Sequence, residues 1–311
     1  MKIVEVAGPS HREDGGPGYV LQTLREMCDC RRKTALEPPS DWGEWDGSLE
    51  VDWAADAFPD LPEFIPPAEK PSVIWNSDTH WSNKAYLYRL NHSKHFQHVY
   101  CAQLNDCAKF GRDGVKAEWM PHAVEHRCYT PRLRNYNMKY RHNLPPDPGA
   151  WHYLMCANLK HYDWCFIGFM NTDHRIRGLE QMCDGFENFY VNHALFFEDV
   201  AKVYTDSKVV MNISVCGDLN MRSFEVLATR SCLLTDEQNG MAEAGFKHME
   251  NCLIYHSTEE AMDLMSWALD HPVEREQIAD AGWRMVLEKH TYSHRARTLL
   301  DKFEALAHTN K

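Results

Sequence analysis

Residues 207–240 constrain the fold more than any other stretch of the chain. They read SKVVMNISVCGDLNMRSFEVLATRSCLLTDEQNG. Residues 209–214 are a short apolar run, which predicts a strand. A polar turn follows, Cys216-Gly217-Asp218-Leu219-Asn220. Over 221–229, Met221, Phe224, Leu227 and Ala228 recur at helical spacing. Arg222, Glu225 and Thr229 fall on a different face. A second apolar run, 232–235, comes directly after, and Gly240 closes the unit. Strand, loop, helix and strand in this order make a βαβ unit, and such a unit requires a parallel sheet.

In an open parallel sheet, ligands sit beyond the carboxyl ends of the strands. A helix that starts there offers unpaired N–H groups and a positive dipole end, both suited to phosphate. Arg222 in the first turn adds a bidentate donor. Glu225, one turn deeper, can accept hydrogen bonds from sugar hydroxyls. The same two residues also fit an i,i+3 ion pair on an exposed helix face.

With 311 residues, the chain is long enough for two domains of ordinary size. No apolar run reaches the ~18 residues that span a bilayer, and the first residues read as a strand, not as a secretion signal. Most of the 11 cysteines are scattered, several of them inside apolar runs, and there is no C-x-x-C pair. That usage points to reduced thiols and to the cytoplasm. A net charge of −12 argues against a broad basic surface for nucleic acid. No cluster has the spacing of a metal site, so neither metal nor cofactor is expected.

At the N-terminus, residues 2–7 predict a strand and 19–27 a helix. Between them lies a glycine-rich loop with Gly15, Gly16 and Gly18, which does not spell the dinucleotide fingerprint. Residues 31–70 read as long loops around one weak strand. Residues 72–77 predict a buried strand, with Asp78 and His80 at its carboxyl end, where acid–base or acceptor-orienting groups belong. Both also suit a polar turn ahead of a helix from about 82 to 90, capped by Asp78 or Ser82. Strands follow at 98–103 and 117–121, and His122 comes just after the second. Residues 126–143 hold Arg127, Arg132, Arg134, Lys139 and Arg141 among Tyr129, Tyr136 and Tyr140, with no acidic residue. Such a segment suits a nucleic-acid strand or an interdomain linker whose arginines meet the protein's own acids. The second half opens with a strand at 163–170. A helix from 174, capped near Thr172, carries Arg175 and Arg177 in its first turns. A strand at 188–193, a helix at 196–206 and a last strand at 252–256 complete the sheet. Three helices, 258–269, 273–289 and 293–307, end the chain.

The run NISVCGDLNMRSFEVLA, then LLTD and the later glycine, resembles the nucleotide-sugar half of GT-B glycosyltransferases. More narrowly, it resembles the CgeB-like (spore maturation protein) group, with its group-1 glycosyltransferase C-terminal domain. The tail from 259 to 300 resembles that group as well. The resemblance implies an α/β fold of two Rossmann-like domains whose parallel sheets face an interdomain cleft. It implies an N-terminal domain over 1–148, a nucleotide-sugar domain over 149–290, and a terminal helix over 291–311 packed back on the first domain. The implied activity is transfer of a sugar from a nucleoside-diphosphate sugar, the co-substrate, to a hydroxyl acceptor. The implied donor contacts are the helix start at Asn220 and Met221, Arg222, Glu225, and Arg175 or Arg177. Gly16 would let backbone approach the phosphates. Asp78 and His80 match the acidic stretch after the N-terminal strand. Large retaining group-1 enzymes often carry a second acidic residue two turns before the helix glutamate. Gly217 holds that place here, with Asp218 beside it. The acceptor is a glycan, a protein or a small molecule, with a hydroxymethylated base in DNA as the rival. A non-catalytic nucleotide- or sugar-binding protein on the same fold is the other alternative.

Overall fold

The computed structural model describes residues 1–7, 16–34, 43–51, 64–77, 82–131, 160–193 and 195–309. The chain divides into two compact units, Met1–Ala123 with Tyr292–Lys311, and Val124–Thr291. The expected boundary at 148/149 lies outside the described residues.

In the first unit the elements are β1 (Lys2–Ala7), α1 (Gly16–Met27), β2 (Asp29–Thr34), β3 (Gly47–Val51), β4 (Ser72–Asn76), α2 (Asn83–Ser93), β5 (His98–Cys101), α3 (Leu104–Arg112) and β6 (Glu118–Trp119). They form a six-stranded parallel sheet in the order β2-β1-β3-β4-β5-β6. The core between sheet and helices gathers Val4, Val6, Ile74, Val99 and Phe110.

Residues 31–70, expected as loops around one weak strand, contain β3 and most of β2. Sequence reading misses β2 because its DCRRKT sequence carries no apolar run. It is an edge strand, where charged side chains are tolerated and guard against further pairing. One of them is used internally. Arg32 clasps the fully buried Glu5 of β1 through Nε and Nη2, at 2.6 and 3.0 Å. Helix α3 has no counterpart among the sequence expectations. Helix α2 starts as expected at Ser82, whose Oγ accepts from the Ala85 amide at 3.0 Å.

In the second unit the elements are β7 (Tyr162–Ile167), α4 (Asp173–Gly185), β8 (Phe189–Asn192), α5 (Phe197–Thr205), β9 (Ser207–Asn212), α6 (Met221–Ala228), β10 (Cys232–Asp236), β11 (Leu253–Tyr255), α7 (Thr258–Asp270) and α8 (Pro272–Lys289). The five strands are parallel, in the order β11-β10-β9-β7-β8. Trp164, Phe166, Val209, Met211, Leu234, Leu253 and Ile278 are among the buried residues of its core. A last helix, α9 (Tyr292–Thr309), belongs to the first unit and packs on α1 and β4. Its Arg295 donates to the carbonyls of Pro121 and His122 at 2.7 and 2.9 Å.

In both sheets the second strand lies on one side of the first, and the later strands lie on the other. This order places a topological switch between β1 and β3 in the first unit, and between β7 and β9 in the second. A crevice opens at such a point because the loops leaving the two strands run to opposite faces of the sheet.

Candidate functional site

The switch point of the second unit brings together the loop after β7 (168–172) and the loop after β9 (213–220). Two arginines converge there. The Arg222 guanidinium lies 4.8 Å from the centre of the Phe166 ring, and that of Arg175 lies 5.9 Å from it.

Arg222, in the first turn of α6, is half-buried and held in a fitted seat. Its Nη1 donates to Asn212 Oδ1 at 2.7 Å. The buried Tyr204 of α5 is hydrogen bonded to it, while burial holds the phenol protonated far above its ordinary range. Its guanidinium also lies close against Gly168. A Cβ at Gly168 would run into Arg222 Nη2 and lie 2.9 Å from Cζ. Only glycine lets the cation sit so close to the end of β7.

Arg175 is buried, and its donors are turned inward. Nε reaches the Ile213 carbonyl at 2.8 Å and Nη1 the Phe169 carbonyl at 2.9 Å. It therefore ties the two loops of the crevice together. Burial, and next the charge of Arg222, push its guanidinium down to about 10. His174, its neighbour on α4, hydrogen bonds to the Ser214 carbonyl at 2.8 Å. Arg177 lies exposed on α4.

These contacts explain why β9 ends at Asn212, two residues before the expected end. The Ile213 and Ser214 carbonyls accept from side chains of α4, and the Ser214 amide donates to Asp236 Oδ1 at 2.9 Å. None of these groups is left for a strand ladder. Ser214 Oγ bonds to Asp236 Oδ2 and accepts from the Gly217 amide at 2.9 Å. Gly217 adopts φ +69°, the left-handed turn that glycine permits. Asp218 Oδ1 accepts from the Cys216 amide at 3.2 Å, and residue 218 bridges to Asn239 across the sheet edge.

Beneath the loop runs a buried polar network that sequence reading does not mark. Asn212 is fully buried, and its Nδ2 lies 3.1 Å from Ser223 Oγ, 3.2 Å from Thr235 Oγ1 and 3.3 Å from Asn220 Oδ1. Ser223 Oγ donates to Gln238 Oε1 at 2.9 Å, and Gln238 Nε2 reaches Thr235 Oγ1 at 2.8 Å. The signal was present as polar residues inside or at the end of apolar runs, Asn212 in VVMNIS and Thr235-Asp236 in LLTD.

Asn220 has the residue type and backbone of a helix cap, with φ −88° and ψ 166°, yet its side chain accepts no capping hydrogen bond. Its carboxamide is turned back to Asn212. The first-turn amides of α6 are thus left without a side-chain cap. Thr172, at the start of α4 across the crevice, caps nothing either, and its buried Oγ1 has no hydrogen-bond partner. Met221 opens α6, and Glu225 sits half-buried one turn further on.

In the first unit, Gly16 is the buried first residue of α1. A Cβ there would meet Tyr292 Oη at an ordinary 3.4 Å, so packing does not demand glycine. Asp78 and His80 lie outside the described residues, as do Arg132, Arg134 and Arg141. His122 is buried, with its ring 6.3 Å from that of Trp75. Among the described residues no group of histidine, cysteine and carboxylate side chains could hold a metal ion. No described helix is long and apolar enough to cross a membrane.

Comparison with known proteins bears on this geometry. Residues 166–301 match a family model described as glycosyl transferase-like, which takes in the end of β7, the crevice loops and α6. No curated protein sequence matches the chain. Among solved structures, Anabaena Alr3699/HepE in complex with UDP and glucose superposes with a TM-score of 0.67 at 9% identity, covering 98% of this chain and 100% of that one. Sucrose-phosphate synthase from Thermosynechococcus elongatus gives 0.64 at 10% identity, over 98% and 99% of the two chains. A UDP-forming trehalose-phosphate synthase from Burkholderia xenovorans gives 0.54 at 9% identity, over 92% and 78%. At these identities the likeness is one of fold, and the fold of this chain is GT-B, with the glycosyl transferase-like match confined to residues 166–301.

Proposed function

We propose that the protein is a glycosyltransferase that takes a sugar from a nucleoside-diphosphate donor and passes it to a hydroxyl acceptor. The observation that carries the reading is the start of α6. It lies at the switch point with no side-chain cap on its first-turn amides, and a preset guanidinium lies beside it. A cation in the first turn has the wrong sign for the helix dipole. A diphosphate bound there corrects that arrangement and also relieves the repulsion between Arg222 and Arg175. UDP and UDP-glucose occupy the HepE structures, which have the same fold, and this supports a uridine nucleotide as the first donor to test.

In this reading the α6 amides at Met221 and Arg222, together with the Arg222 guanidinium, stabilise the charge that develops on the departing diphosphate. Arg175 acts from behind by fixing the two loops, and Arg177 is the exposed cation of the same helix. Glu225 accepts hydrogen bonds from ribose or sugar hydroxyls. Asp218 is assigned to the donor sugar and Gly16 to the donor phosphates, and Asp78 and His80 are assigned to orienting or deprotonating the acceptor. The acceptor is a glycan, a protein or a small molecule. The narrower CgeB-like kinship and a cytoplasmic location are part of the same proposal. Modified DNA as acceptor finds no support in the comparisons, and the basic segment that suggested it lies mostly outside the described residues.

A ligand that binds only the folded protein raises its melting temperature. A thermal-shift screen of UDP, GDP, dTDP and their sugars is therefore expected to single out one nucleoside. Release of that diphosphate from its sugar donor would then show transfer. Absence of a shift with every nucleotide would overturn the proposal.

A further inference from the structure

We infer that Asn212 is a positioning residue that keeps the start of α6 open by diverting Asn220 from its capping role. The role rests on the reading of this helix start as the seat of a nucleoside diphosphate.

Asparagine is among the strongest capping residues, because its side-chain oxygen accepts from the second or third amide of the helix. Asn220 stands at the capping position with suitable backbone angles. Its Oδ1 lies 3.3 Å from Asn212 Nδ2, and its own Nδ2 lies 3.4 Å from Asn212 Oδ1. The diversion is built from below. Asn212 is fully buried on β9, and its main-chain carbonyl is fixed by the Tyr255 hydroxyl at 3.0 Å. The same Asn212 Oδ1 accepts from Arg222 Nη1 at 2.7 Å. One carboxamide thus does two things. It turns the Asn220 side chain away from the amides of Arg222 and Ser223, and it anchors the Arg222 guanidinium in its seat. A ligand anion and a self-cap compete for the same N–H groups, and although the Ser223 amide reaches the Asn220 carbonyl at 3.3 Å, the chain forgoes the side-chain cap in favour of the anion.

If this is right, removing Asn212 lets Asn220 fold onto the helix and close the site. In Asn212→Ala the backbone amide of Arg222 or Ser223 should shift downfield in 15N-resolved spectra and exchange more slowly with solvent. UDP affinity should fall about 10-fold, the worth of one hydrogen bond to a charged group. Adding Asn220→Gly removes the intruding carboxamide. The double variant should therefore bind UDP at least about threefold more tightly than Asn212→Ala alone. Residues of merely structural value give the opposite result, because a second lesion in a packed network adds to the first. Should Asn212→Ala fail to fold, Asn220→Ser replaces it. A serine hydroxyl is too short to reach Asn212 but well placed to cap, so the same amide shift and the same loss of affinity are expected. The inference is overturned if the Arg222 and Ser223 amides stay unmoved in the variant that folds, or if the double variant binds no better than the single one. If the unmutated protein does not bind UDP, the diphosphate reading falls, while the amide shifts still decide whether Asn212 holds the helix open.

Discussion

Helices α6 and α7 start at the same edge of the same sheet, after β9 and β11, and their starts are built in opposite ways. At α7, Ser257 has an extended backbone and its Oγ accepts from the Glu260 amide at 3.2 Å. Glu260 reaches back to the His256 amide at 2.7 Å, and Glu259 and Glu260 place two negative charges in the first turn. Every feature there suits a helix start in isolation. At α6 the capping residue is turned away, the first turn has no acid, and it holds Arg222. The two helices differ in position, since α6 lies at the switch point and α7 follows the edge strand. A helix start that leaves its amides uncapped and adds a cation is arranged for something other than its own stability.

Changes at the Arg222 seat should break this contrast most strongly. Arg222→Ala is expected to weaken nucleoside-diphosphate binding by about 10- to 100-fold, since a hydrogen bond to a charged group contributes about 1.5–3 kcal/mol. Gly168→Ala tests the same seat without touching a charge. The added methyl group meets the mobile end of the arginine, so the fold should survive while the guanidinium is displaced. Titration calorimetry should show affinity falling by about 10-fold with the melting temperature nearly unchanged. Normal affinity in Gly168→Ala would mean that the preset position of Arg222 is immaterial to the ligand.

Glu225 comes next. Glu225→Ala should lower sugar transfer more than about 10-fold and leave the fold intact, because it removes a charge-assisted hydrogen bond to ribose or sugar. Wild-type turnover would return Glu225 to the role of a half-exposed helix residue.

The contrast between the two helices also shows what the sequence could and could not convey. The βαβ unit at 207–240 was legible because β9 and β10 are short continuous runs buried on both faces and α6 buries one face at helical spacing. Arg222 and Glu225 were legible as residue types at a helix start. Their partners were not. Whether Arg222 faces Glu225 or the sheet depends on Phe166 and Gly168, which lie on β7 and its following loop, far away in sequence. Arg175 carried the right charge for a phosphate contact, but its burial and its two carbonyl partners are tertiary facts. Asn212 was hidden because a lone polar residue in a strand looks like a flaw in the pattern until its neighbours are known. Strand β2 was missed for the converse reason, since an edge strand need not be apolar. The capping residues expose the limit most clearly. Asn220, Thr172, Ser82 and Ser257 all belong to the capping set, and only the last two are seen to cap.

The smallest expected effect is the sharpest test of that last point. Ser257→Ala removes a cap that is made, and should cost about 1 kcal/mol of stability. For a unit of this size that lowers the melting temperature by about 2–4 °C. Nucleotide affinity should not change, because Ser257 belongs to a helix outside the crevice. Asn220→Ala removes a capping residue that does not cap. It gives up only the long hydrogen bonds to Asn212, so its loss should be less than half that of Ser257→Ala in the same thermal melts. A propensity scale assigns the two substitutions equal penalties, because both start from favoured capping types with extended backbones. If the two melting temperatures fall together, Asn220 caps α6 in solution, and the open helix start that distinguishes α6 from α7 does not exist. If they separate as expected, the stability difference marks the start of α6 as shaped for a ligand, by a measurement made with no ligand in the cell.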